Sequence, residues 1–86
     1  MPDRVTYYAV VSESRTAQNP SGLARRRYLQ TGGFEDEALQ RDLTWGHTSA
    51  IAEWNRDAVD FGLVEISEAE AGELIDRFRE KWGQEG

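Results

Sequence analysis

The spacing of hydrophobic positions changes part-way along this chain, from every second residue to three or four. Val5–Ser12 reads V-T-Y-Y-A-V-V-S, β-branched and aromatic, which predicts a strand. One alternate set holds Val5, Tyr7, Ala9 and Val11, the other Thr6, Tyr8 and Val10. Both are largely apolar, so the strand should be central, with material packed on each side. Gly22–Gln30 predicts a second strand, with Leu23, Arg25, Arg27 and Leu29 on one face and Ala24, Arg26 and Tyr28 on the other. Thr31-Gly32-Gly33 then reads as a turn. Phe34–Asp42 is helix-forming in composition, yet its place straight after a Gly-Gly turn favours a returning third strand. Glu13–Ser21 is polar, contains Asn19-Pro20 and reads as a loop. It is long for a hairpin connection, and long loops are more often functional than short ones.

The second half is helical in pattern. Thr48 or Ser49 can cap a short helix over Ala50–Arg56, with Ala50, Ile51 and Trp54 on one side. Asp57–Gly62 is a connector, and Leu63–Ile66 has room for one brief fourth strand. Ser67-Glu68-Ala69-Glu70 is a capping box. After it, Ala71, Leu74, Ile75, Phe78 and Trp82 fall within an arc of roughly 100° on a helix. Acids crowd the start of this helix, and Arg77, Arg79 and Lys81 crowd its end, which suits the helix dipole. Glu73 and Arg77 have the spacing of a favourable pair. Gly83 is the expected terminator. Gly72, at a cost of about 1 kcal/mol against alanine, suggests close approach of another element. Strands followed by helices predict one α+β domain over residues 1–86. Its sheet is small, antiparallel and three-stranded, with the short and the amphipathic helix covering one face.

Charge divides this domain. Residues 1–31 carry a net of +3, residues 32–86 a net of −9, and the whole chain −6. Surfaces of opposite sign choose partners. The hydrophobic fraction is only 38%, but three Trp, three Tyr and three Phe supply enough large side chains for a folded core. With no cysteine, disulfides and Cys-based zinc sites are excluded. The absence of a long apolar run and of a signal-like opening predicts a cytoplasmic protein.

Candidate chemistry is sparse. His47 is the single histidine, and its spacing to Asp42, Thr48 and Ser49 demands no catalytic arrangement, so no enzyme is predicted. Asp57–Gly62 places Val59 and Phe61 where a calcium loop needs oxygen ligands. No metal site and no cofactor are expected. Trp45, Trp54 and Trp82 read as core or core-edge residues. Arg25-Arg26-Arg27-Tyr28 is the one basic cluster; Arg25, Arg27 and Tyr28 are candidates for an anion or nucleic-acid contact. The favoured alternative pairs these arginines with acids of the neighbouring strand, and the net charge opposes phosphate binding. Glu68, Glu70, Glu73, Asp76 and Glu80 form a candidate face for a basic protein partner. The leading expectation is therefore a small acidic binding or regulatory module.

Asp36-Glu37-Ala38-Leu39, Arg41-Asp42-Leu43-Thr44-Trp45, Thr48, Glu53 and Val64-Glu65-Ile66-Ser67 together resemble small uncharacterised proteins of actinobacteria. That resemblance covers most of the chain after Tyr7 and implies no activity and no site residues.

Overall fold

The computed structural model describes residues 4–57 and 61–85, and of residues 84 and 85 the backbone alone. Part of the connector Asp57–Gly62, with the rejected calcium loop, lies outside the described residues. Strands run over Arg4–Val11 (β1), Gly22–Tyr28 (β2), Phe34–Leu39 (β3), Trp45–His47 (β4) and Gly62–Ile66 (β5). Helices cover Ala50–Asn55 (α1) and Glu68–Glu85 (α2). All strand pairings are antiparallel, in the order β4-β3-β2-β1-β5. The sheet thus has five strands rather than the three or four expected. The addition the sequence hid is β4, three residues long with a glycine in the middle. It is formed because the turn after β3 folds the chain straight back: Gln40 N–H donates to Thr44 C=O and Leu43 N–H to Gln40 C=O, with Leu43 at φ 67°.

Leu23 and Ala24 are neighbours on β2 and therefore face opposite ways. Leu23 joins Ala9, Leu39 and Ile66 under Ala71, Leu74 and Phe78 of α2. Ala24 joins Leu63 under Ile51 of α1. The helices consequently lie on opposite faces, correcting the expectation that both cover one. This agrees with the two-sided apolar pattern of β1, whose Tyr7 and Val11 pack toward α2 while Tyr8 and Val10 pack toward α1. The sheet is a middle layer, and burial of apolar area on both sides is its main stabilising term.

The start of α2 is fixed as the sequence indicates. Glu70 N–H donates to Ser67 Oγ at 3.0 Å, and Ser67 N–H donates to Glu70 Oε1 at 3.2 Å. Its end differs, because the helix runs through Gly83 to Glu85. Gly72 also departs from expectation: a Cβ there would meet nothing within 4 Å. Nor does Arg77 reach Glu73. Its Nη1 donates to Gln18 C=O at 2.6 Å, tying the helix to the β1–β2 loop. That loop is ordered by its own short bridges, Ser12 to Arg15 and Thr16 to Asn19, and Ala17 packs on the α2 core. At α1, Thr48 Oγ1 accepts from Ala50 N–H, while Ser49 makes no side-chain cap and instead donates from Oγ to Glu53.

Candidate functional site

The β2–β3 register places three arginines opposite three acids: Arg25 with Glu37, Arg26 with Asp36, Arg27 with Glu35. Alternation sends Arg26 and Asp36 to the α1 face and the other two pairs to the α2 face. Each guanidinium meets its opposite carboxylate. Arg25 Nε donates to Glu37 Oε1 at 2.8 Å, and Arg26 donates from Nε and Nη2 to the two oxygens of Asp36 at 2.8 and 3.0 Å. Arg27 Nη2 donates to Glu35. Aromatic rings complete the enclosure. The Arg25 guanidinium carbon lies 4.2 Å from the Trp45 ring centre, and that of Arg26 lies 4.1 Å from Phe34. Such stacking adds to the charge pairing because a guanidinium plane is weakly hydrated.

This ladder changes the meaning of the basic cluster. Arg25 and Arg27 point the same way, but their charge is directed at Glu35 and Glu37. Tyr28, on the other face of β2, is exposed and carries Arg4 over its ring at 5.4 Å. The structure therefore does not bring Arg25, Arg27 and Tyr28 together. The hydrogen bond from Arg26 to Asp36 raises the Arg26 pKa further above its ordinary value. Burial, then the nearby Tyr28 and Glu65, raises that of Tyr8 on the same face.

A recess of about 400 Å³, lined by Phe34, Glu35, Asp36, Glu37 and His47, opens where β4 stops beside β3. His47 is exposed at its rim. The three carboxylates here already accept from the arginines of β2. Among the described residues, no group of three or more His, Asp and Glu side chains is placed to hold a metal ion.

On α2 the five candidate acids divide. At 100° per residue, Glu73, Asp76 and Glu80 form one stripe opposite Ala71, Leu74 and Phe78. All three are exposed. Asp76 accepts from Arg79 Nη1 at 3.1 Å in an exposed pair, which holds that carboxylate weakly. Among the described residues, Glu73 and Glu80 have no ion-pair partner. Glu68 lies at the first turn, and Glu70 is engaged with Ser67 N–H. The three tryptophans also separate: Trp45 and Trp82 pack at the α2 core, whereas Trp54 is exposed.

Comparison with protein-family models, curated proteins and solved structures finds no match to the chain. No helix among the described residues is long and apolar enough to cross a membrane.

Proposed function

We propose that this protein is a small binding module that docks on a basic surface of a partner protein through Glu73, Asp76 and Glu80 of α2. One contrast carries the reading. The arginines of β2 are paired with the acids of β3, whereas the outward carboxylates of α2 have little in-chain compensation. With a formal net charge of −6, the accessible field is negative, and a field of that sign steers basic partners. A helix stripe held by a capped N-terminus and a packed apolar face presents those charges on a rigid support, which limits the ordering cost of association. An anion site at Arg25 and Arg27 is disfavoured, since a bound phosphate would have to displace Glu37 and Glu35.

The test starts from a partner recovered by affinity purification and then purified. Association with the wild type should slow as salt rises, and the triple variant Glu73→Gln, Asp76→Asn, Glu80→Gln should associate about tenfold more slowly. A second triple variant, Glu13→Gln, Glu53→Gln and Glu65→Gln, removes the same three charges outside α2 and serves as the charge-matched control. Equal association by the triple variant and the wild type would remove α2 as the docking surface.

A further inference from the structure

The outer side of β5 is a sheet edge, and its backbone groups can be assigned. Ser21 N–H donates to Val10 C=O, so the polar groups of Val10 point toward β2. Along an antiparallel strand these directions alternate, so Ala9 and Val11 point toward β5. They pair there with Val64 and Gly62. The N–H and C=O groups of Leu63 and Glu65 must then point outward. Among the described residues, no strand lies beyond β5. Val64, between them, is 41% exposed although apolar. An unpaired strand edge with an exposed β-branched residue is a template for another strand.

We propose that β5 pairs with β5 of a second copy of this chain, antiparallel, about a two-fold axis at Val64. Three self-complementary registers keep the outward groups of both copies aligned. Centring on Glu65 sets two carboxylates directly opposite each other, which is destabilising. Centring on Leu63 leaves Glu65 and Ile66 without a partner inside the strand. Centring on Val64 pairs Gly62 with Ile66, Leu63 with Glu65 and Val64 with Val64 across the full length of β5. It satisfies the outward groups of Leu63 and Glu65 in both copies, with no like charges directly opposed. The exposed Val64 side chains then meet in a non-hydrogen-bonded pair, where side chains approach most closely. The interface is isologous and closed, and it joins two five-stranded sheets into one.

Cysteine trapping in the full chain tests both the interface and its register, because the chain has no cysteine of its own. In the proposed register the Val64 Cα atoms lie roughly 4.5 Å apart, within disulfide reach, whereas the two Glu65 Cα atoms lie roughly 8–9 Å apart, beyond it. Under mild oxidation Val64→Cys should become a covalent dimer, whereas Glu65→Cys should form no disulfide between copies. In sedimentation equilibrium the unmodified protein should rise above its 9.8 kDa chain mass with concentration, and Val64→Lys should stay at that mass. Salt separates this interface from the docking reading: two like-charged copies associate more tightly as salt screens them, whereas docking on a basic partner weakens. A protein monomeric at all concentrations overturns the proposal. So does a dimer that cross-links at residue 65 as readily as at residue 64, or at neither.

Discussion

Arg26 and Asp36 face each other across β2 and β3 and form a two-point ion pair, with the Phe34 ring against the guanidinium. The Asp36 and Arg26 side chains are only 7% and 16% exposed. Removing one partner therefore strands a charge that water reaches poorly. Asp36→Ala should destabilise the fold by about 2–3 kcal/mol, whereas Arg26→Met combined with Asp36→Leu should recover most of that loss. Urea unfolding of the two variants beside the wild type measures the difference. Equal destabilisation by the single and double variants would mean that the pair contributes through its packing and not through charge.

Gly72 offers the opposite kind of change. It is exposed within α2, and a methyl group there meets open space. Glycine lowers helix stability mainly through the freedom it allows the unfolded chain. Gly72→Ala should raise stability by about 0.5–1 kcal/mol, with the native spectrum unchanged. Thermal unfolding by circular dichroism reads the shift; a lower melting temperature would mean that the helix needs the glycine for a purpose its surroundings do not reveal.

The elements read most clearly from sequence were those whose signals are local. Ser67 and Glu70 announced the start of α2, and the stripe from Ala71 to Trp82 announced its buried face, because capping and helical period depend on neighbours a few residues away. The arginine ladder was also legible, since a Gly-Gly turn between R-R-R and E-D-E almost dictates opposition. What stayed hidden depends on distant contacts. Trp45-Gly46-His47 has too few residues for a period and becomes β4 only through pairing with Glu37–Leu39. Arg77 has the spacing to reach Glu73 but is claimed by Gln18, 59 residues away in sequence. The side of the sheet taken by α1 depends on the path of the chain from β4, which no pattern in Ala50–Asn55 records. For the candidate site, the acids of α2 could be named from sequence. The capping box already set Glu70 apart, but that Glu73 is left without Arg77 could not be read, because Arg77 is drawn to Gln18 by a contact distant in sequence.

The capping box itself is testable by its reciprocity. Ser67 Oγ accepts from Glu70 N–H while the Glu70 carboxylate accepts from Ser67 N–H. Ser67→Ala should destabilise the protein by about 1 kcal/mol, and Ser67→Asp should retain most of the wild-type stability. Urea unfolding reads both variants. If Ser67→Ala is neutral, the first turn of α2 is held by the packing of Ala71 alone.

The turn that creates β4 should carry its own signature in acid. Thr44 donates to Asp42 Oδ1 twice, from its hydroxyl at 2.6 Å and from its backbone N–H at 3.1 Å. These bonds favour the ionised carboxylate and lower the Asp42 pKa below its ordinary 3.8, the hydroxyl being the larger cause. A carboxyl whose pKa is depressed on folding adds stability above its unfolded pKa and loses that stability as pH falls through the folded value. The contribution of Asp42 should therefore be intact at neutral pH and decline only below about pH 4. Thr44→Val keeps the backbone donor and removes the hydroxyl, so an NMR titration of the Asp42 carboxyl should move upward toward the ordinary value. An unchanged titration would show that the hydroxyl is not what holds the charge, and that the backbone of the turn alone orders the return into β4.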